Sequence, residues 1–442
     1  MFTMKRLTTL LLGCLALLLV ICMIVYPESI FQASLNGLSI WWKLVFPALL
    51  PFLIITEIMR GMGILHMLGQ LLEPLLRWLF RLPGYGGWPI ALGFTSGSPS
   101  GAIAVAELRR DKLVSRDEAE RLLSLTHVTS PMVLITVIGV GFLRDARMGL
   151  ALAVLHYGSA ILLGLFQRIW GKPSSTLTNP QNAIAADRLA ASEATPTSAE
   201  PAAGWISGSI AALHTARASD GRSFGKLMGD SVTASIQQLM AIGGIIMIFS
   251  VLIHALSLSH ITTYVAALVS VLGFANETDA QTLMSALLPG IFEIHLGAFA
   301  LVQVHLLPDA WHYAILSAMF AWGGLSAHAQ VKSFIMDTDI RYLAFLRSRL
   351  QHAMLSFAMA LTLWHPLSFW LNGAASPVFL SQTAMNSSNE RLITGISKIN
   401  IWLLMSPAMM IFGGIVLVML LLSIFTALIW RYYGHDVKDH KV

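Results

Sequence analysis

Charge is what this chain has least of. Acidic and basic residues make up 12% of its 442 positions, about half the share found in ordinary soluble domains. Too little charge is left to clothe a water-facing surface, so a soluble globular protein is excluded. Cysteine is nearly missing too. Cys14 and Cys22 both fall in the first apolar run, and neither a disulfide framework nor a zinc site is indicated. Catalytic constellations are also lacking: there is no His-Glu-x-x-His and no paired-aspartate pattern. In Gly97-Ser98-Pro99-Ser100-Gly101 a proline stands where a nucleophile elbow needs its serine. No enzyme, cofactor, metal or nucleic-acid partner is expected.

What is present is apolar. Hydrophobic residues account for 56% of the chain and the mean hydropathy is +0.70. At about 20 residues per span, a chain of this length holds about eight spans with short loops. The net charge of +5 says little, because basic residues in such proteins mainly set topology. Lys5 and Arg6 precede an apolar run from Leu7 to Val25, and no small-residue cleavage site follows at Tyr26-Pro27-Glu28. The run therefore reads as a retained first span whose N-terminus is cytoplasmic.

The chain is organised around Gly93 to Ala102, where four hydroxyl residues, three glycines and a proline interrupt apolar surroundings. Pro99 suits the first turn of a helix, which makes Ser98 its natural N-cap. The preceding segment, Gly87 to Leu92, is too short to cross a bilayer. Basic residues flank the stretch on both sides, at Arg77 and Arg81 and again at Arg109, Arg110 and Lys112. If both flanks are cytoplasmic, the segment between them is a re-entrant hairpin. Broken backbone at membrane depth must be buried in protein or line a wet cavity. The free N–H groups at its tip form an anion site.

A similar order of elements occurs twice. The first half has a span from Ile40 to Met59, an interfacial helix from His66 to Arg81 and the broken segment. It ends in a span from Val128 to Phe142 entered through Thr126, Thr129, Ser130 and Pro131. A return span runs from Gly149 to Phe166, and Ser115 to Glu118 is a capping box. The second half has a span from Ser231 to Ala255, a weaker helix from Ile261 to Phe274, and the broken segment Leu287 to Ala298. Its polar-lined span runs from Ala314 to Phe334. Gly290…Gly297-Ala298 falls on Gly93…Gly101-Ala102 with one gap. The expected fold is thus an all-α polytopic membrane protein, with about eight transmembrane helices and two re-entrant hairpins in an inverted repeat. Its divisions are 1–37 (first span), 38–170 (first gate-like repeat), 171–225 (an Ala/Ser/Thr/Pro cytoplasmic linker), 226–350 (second repeat) and 351–442 (a final pair of spans around an external loop). Both termini come out cytoplasmic; Arg144, Arg147, Arg391 and Lys398 depart from the positive-inside pattern.

Pro51-Phe52-Leu53 through Glu57, Gly93-x-x-Ser96-Gly97-x-Pro99-x-Gly101-Ala102, Ser130-Pro131 and Trp322-Gly323-Gly324-Leu325-Ser326-x-His328-x-Gln330 carry a resemblance. They resemble the YlbJ (SpoVV) type of sporulation integral membrane protein, which has nucleoside-recognition gate domains. The resemblance covers most of residues 40 to 350. It implies a transporter that moves dipicolinic acid from the mother cell across the outer forespore membrane. The long linker and the loop after Asn372 have no counterpart in the motif pattern.

Dipicolinate is a flat pyridine bearing two carboxylates, so its pocket needs donors and positive potential. Ser96, Gly97, Ser98, Ser100 and Gly101 offer hydroxyls and backbone N–H groups. Ser326, His328 and Gln330 lie on the broken Gly323-Gly324 segment and complete the site, with Ser130 of second rank. The competing reading for each hydroxyl is a bond to its own helix carbonyl. Glu293, with His295 two residues on, and Glu57 are carboxylates in membrane segments and so candidates for ion coupling. For Glu57 the alternative is an interfacial pair with Arg60. The expected partners are a small anionic solute and the lipid bilayer, and a homo-oligomer stays open. Two other readings are a transporter of a nucleoside or other small solute, and a non-transporting assembly protein.

Overall fold

The structure is a computed structural model and describes residues 2–170, 205–273, 276–373 and 421. Helices are the regular secondary structure of the described residues, which contain no strand. Three of their helices are long and apolar enough to cross a membrane: Pro27–Gly61, Ala146–Ile169 and Phe224–Leu258. The last is apolar, yet only 28% of its apolar stretch is buried inside the protein. A surface of that kind is suited to lipid rather than water. The expected span Ile401 to Trp430 (Leu421 apart), the linker from 171 to 204 and the loop from 374 onward lie outside the described residues.

The first half opens with α1 (Phe2–Val25) and α2 (Pro27–Ile40). A wide turn at Trp41–Val45 then leads from α2 into α3 (Phe46–Gly61) without leaving the helix axis. The expected span at Ile40 to Met59 is therefore only the second part of a 35-residue rod. Pro47 sits in the first turn of α3, where no N–H is missed, and Pro51 is carried inside it. The interfacial helix expected from His66 to Arg81 is broken into α4 (Ile64–Leu71), the short α5 (Glu73–Leu75) and a wide turn, Leu76–Phe80. Pro74 near the start of α5 and the left-handed Arg81 explain the break and the stop. The hairpin arms are α6 (Gly87–Ser96) and α7 (Ser100–Arg110), followed by α8 (Arg116–Thr126). Both bonds of the Ser115–Glu118 capping box are present at the start of α8. Residues 127–130 are not helical, so the expected span at Val128 to Phe142 is helical only beyond Pro131. Its return, α9, covers Ala146–Trp170.

The second half begins inside the expected linker. The helix α10 (Trp205–Asp220) packs on α4. Then come α11 (Phe224–Leu258), α12 (Ile261–Val271), and a second helix pair, α13 (Glu277–Phe292) and α14 (Ile294–Val302). The expected Ala314–Phe334 span is two helices, α15 (Asp309–Trp322) and α16 (Gly324–Phe334), before the long α17 (Tyr342–Gly373).

The two broken pairs are built alike. The arms of the first meet at Gly93 and Gly101: a Cβ on Gly101 would lie 3.1 Å from Gly93 Cα. The arms of the second meet at Gly290 and Gly297, closer still. Neither half has a private core. One apolar cluster joins Trp41, Phe52 and Ile135 to Leu239, Leu296, Leu316 and Phe320. Another joins Leu76, Val105 and Leu122 to Val331, Ile335 and Phe345. The openers also bind each other directly, through Trp41 Nε1 to the Leu239 carbonyl (2.9 Å) and Ser250 Oγ to the Ala33 carbonyl (2.6 Å). Whatever lies between the tips is therefore shared by both halves.

Candidate functional site

The first tip is formed where α6 stops at Ser96 and Gly97 takes φ +74°, a left-handed conformation that a side chain would strain. Sequence reasoning makes Ser98 the cap of α7, but the helix begins one step later. Pro99 holds the capping position and no side chain caps α7. Ser98 turns away because it has a better partner: its Oγ lies 2.9 Å from His127 Nδ1. Gly97 packs against Ser130, whose Cβ and backbone N lie 3.2 Å from where a Gly97 Cβ would stand. Gly101 and Gly93 lean on Thr126. Ser96 and Ser100 are half-buried at the same tip. Ser130 is buried and its Oγ accepts the Val133 N–H at 3.4 Å, starting the helical stretch that follows.

The second break meets the first across His127. Gly323 and Gly324 are left-handed in succession, at φ +87° and +78°. A Cβ on Gly323 would lie 3.1 Å from His127 Nε2. The same imidazole therefore faces Ser98 with one nitrogen and the Gly323 break with the other. On α16, His328 Nε2 donates to the Trp322 carbonyl (3.2 Å) and Nδ1 lies 3.1 Å from the Tyr342 hydroxyl. Ser326 is buried beside it. Gln330 Nε2 is spent on the Ser326 carbonyl of its own helix, at 3.3 Å.

Glu293 occupies the break between α13 and α14 and is 3% exposed. One carboxylate oxygen accepts the N–H groups of His295 (2.7 Å) and Leu296 (3.0 Å); the other lies 2.8 Å from His295 Nδ1. Glu293 is thus the N-cap of α14, a local duty that its position at a break explains. The His295 Nε2 is buried without a partner. Gly324 abuts the Phe292 carbonyl and Glu293 Cα, at 3.0 and 3.3 Å from a built Cβ. Glu293 and His295 therefore border the junction, while Glu57 does not join it. Glu57 pairs with Arg60 at 2.5 Å.

Sequence reasoning missed the buried polar group behind the tips. His127, His156, Arg349 and His352 are all at most 4% exposed. Arg349 donates to the carbonyls of His127 (2.6 Å) and Ser124 (2.5 Å), and Tyr157 donates to the Thr129 carbonyl at 2.7 Å. A positive-inside count treats Arg349 as one more loop cation. The available signal was its place in a continuous helical pattern, with His352 one turn on. Among the described residues no three His, Cys, Asp or Glu side chains converge as a metal site. A cleft of about 820 Å³ opens elsewhere, between α2 and α11, lined by Tyr26, Glu28, Gln32, Asn36, Ser250 and His254. It shares no residue with the junction.

Comparison with known proteins gives this geometry a family. The chain is 35% identical over 367 residues to the sporulation integral membrane protein YlbJ of Bacillus subtilis strain 168, covering 82% of this chain and 85% of that one. It belongs to the YlbJ family of sporulation integral membrane proteins. The Gate family model, described as nucleoside recognition, matches residues 42–144, a stretch that contains the first tip and His127. Two solved structures of CNTnw variants, one outward-facing and one in an intermediate state, align over 85% of this chain and 87% of theirs. Identity to each is 12% and the TM-score is 0.37, a likeness too loose to fix the fold of a YlbJ-family chain.

Proposed function

We propose that this YlbJ-family protein transports a small anionic solute, with dipicolinic acid the solute and the outer forespore membrane the place of action. The observation that carries the reading is the meeting of two broken helices across His127. Ser98 lies at 2.9 Å on one side and the Gly323 break on the other. Broken backbone exposes N–H and C=O groups that a membrane protein tolerates only in a protected, functional setting. The α6–α7 and α13–α14 pairs then act as re-entrant hairpins of an inverted repeat that gives alternating access. Ser96, Ser98, Ser100, Ser130 and Ser326 supply hydroxyl donors, with His328 beside them. Glu293 with His295 serves ion coupling, and both termini are cytoplasmic. The sporulation role of the relative supports dipicolinate. No step of this reading requires bond-making chemistry.

One observation favours a second solute: the matched Gate model is a nucleoside-recognition model. A single experiment addresses both. Vesicles containing only this protein are expected to take up dipicolinate, with no competition from excess nucleoside. Nucleoside uptake that dipicolinate does not inhibit would replace the first reading with the second. Uptake of neither would leave an assembly protein.

A further inference from the structure

Arg349 is fully buried on α17, and its hydrogen bonds are all to uncharged acceptors. Its two terminal nitrogens donate to the carbonyls of Ser124 and His127, which the last turn of α8 leaves without helical partners. Nη1 also lies 3.2 Å from His352 Nδ1. That nitrogen must accept, so the ring proton sits on Nε2, which faces the His156 carbonyl (3.1 Å) and Ser159 Oγ (3.0 Å). His156 Nε2 in turn accepts the Thr129 N–H at 3.0 Å. Both imidazoles are therefore arranged as neutral acceptors, whereas a guanidinium stays charged. No carboxylate is in ion-pair contact with Arg349 among the described residues, and its Nε is buried with no partner. An uncompensated cation thus stands directly behind His127, whose ring faces Ser98 and the Gly323 break.

We infer that Arg349 is the charge-selecting residue of the Ser98–His127–Gly323 junction, making it hold a carboxylate-bearing solute in preference to a neutral one of the same shape. This rests on the junction being the solute site. Arg349 is a positioning residue: it acts through the α8 carbonyls and its own field, and does not touch the solute. In a water-poor interior, a unit charge acts over several ångströms far more strongly than in bulk water. His352 keeps the guanidinium in place by accepting a hydrogen bond from it at Nδ1.

The competing account is that Arg349 only pins α8 to α17. Two probes separate the accounts: dipicolinate and its neutral analogue pyridine-2,6-dicarboxamide, titrated against the purified full-length protein. Wild type is expected to prefer the dianion. Arg349→Gln still donates hydrogen bonds but has no charge, and should reduce that preference by at least about tenfold. Arg349→Lys keeps the charge but cannot span both carbonyls, and should hold the preference while losing thermal stability. His352→Asp leaves the guanidinium in place and neutralises it, so it should lose the preference even if Arg349→Gln does not fold. Retained preference in Arg349→Gln or in His352→Asp overturns the inference. So does a Lys variant that folds yet loses the preference as completely as Gln. Equal wild-type affinity for both probes removes the charge selection and leaves the junction as a site for neutral solutes. Binding of neither probe removes the junction reading, and the inference with it.

Discussion

The helices α8 and α17 meet twice, and their charges are handled in opposite ways. At the exposed rim Arg341, just before α17, donates to Glu120 at 2.6 and 2.8 Å and to Asp117 at 3.3 Å. Nearby, Arg109 at the end of α7 holds both oxygens of Asp339 at 2.7 and 2.8 Å, and Arg110 reaches Asp337 at 3.1 Å. In the interior the other end of α8 meets α17 through Arg349, whose hydrogen bonds go only to carbonyls and a neutral imidazole and whose guanidinium lies 5.6 Å from the Phe345 ring centre. Apart from the largely covered Glu120, the rim charges lie within reach of water, so each exposed pair is worth only about 0.2–1 kcal/mol. A buried charge has no such reserve, and leaving one without a counter-ion costs several kcal/mol. The rim is thus optimised where little is at stake, and the junction is left incomplete where much is. A stability argument accounts for the first; the second calls for a ligand that completes it.

The largest effect expected from breaking this contrast comes from putting a permanent carboxylate in the junction. Ser98→Asp places one at the tip, where a solute carboxylate would approach. At about 4 Å and an intermediate effective dielectric, two like charges repel by roughly 4 kcal/mol, or roughly a thousandfold in affinity. Dipicolinate transport should be nearly abolished while the protein stays folded. Ser98→Ala loses only the bond to His127, about 1 kcal/mol, and should retain partial transport. Because Ser98 caps no helix here, neither change should unravel α7. An Asp variant with wild-type transport would end the anion-site reading.

The next effect belongs to Glu293, which shares features of both regions: buried like Arg349, yet fully hydrogen-bonded like the rim. Glu293→Gln keeps an oxygen for the N–H groups of His295 and Leu296 but removes the charge. If the carboxylate serves ion coupling, transport should collapse with membrane levels unchanged. Glu293→Ala should additionally lose about 1 kcal/mol of stability through the missing cap. Normal transport in the Gln variant, with a loss only in the Ala variant, would leave Glu293 a cap alone.

These two sites also show what could be read from sequence. The broken segments were legible because glycine, serine and proline stand out in an apolar chain, and Gly290…Gly297 could be aligned on Gly93…Gly101 from spacing; that the two glycines of each segment touch was not. Ser98 was read as a cap because of its neighbour Pro99, but the competing partner, His127, lies 29 residues away and no local rule weighs it. Arg349 was invisible as a site residue, since its partners Ser124 and His127 are more than 220 positions distant. The split of the expected helix at His66 to Arg81 was written in Pro74, yet its apolar periodicity ran across the break. Long-range polar contacts and backbone breaks inside good periodicity are what a one-dimensional pattern cannot encode.

Membrane sidedness sharpens the comparison without a change in energy. Arg110 belongs to the rim and Arg81 follows the wide turn that precedes α6. Single cysteines at these two positions should be labelled by an impermeant reagent from the same side. Labelling from opposite sides would show that the α6–α7 pair crosses the membrane. The rim and the Ser98 tip would then belong to a spanning element rather than a re-entrant one.

The smallest expected effect is the pH response of the rim itself. The Arg109 hydrogen bonds hold the Asp339 carboxyl below its ordinary range, against an opposing contribution from desolvation. A carboxyl whose folded pKa is depressed stabilises the fold above its unfolded value, about 3.9, and loses that contribution as pH falls through the folded value. Wild type should therefore exceed Asp339→Asn in melting temperature by a constant margin between about pH 5 and 8, and the margin should shrink below about pH 4. Asp339 is half exposed, so the margin should be small, a few tenths of a kcal/mol, and should narrow further in high salt. Arg109→Ala should cost more, because it also removes the Nη1 bond to the Val114 carbonyl (2.8 Å), and adding Asp339→Asn to it should cost little further, the ion pair being already gone. A margin of several kcal/mol, or one indifferent to pH and salt, would mean that the rim pair is as deeply embedded as Arg349, and the contrast between the two ends of α8 would dissolve.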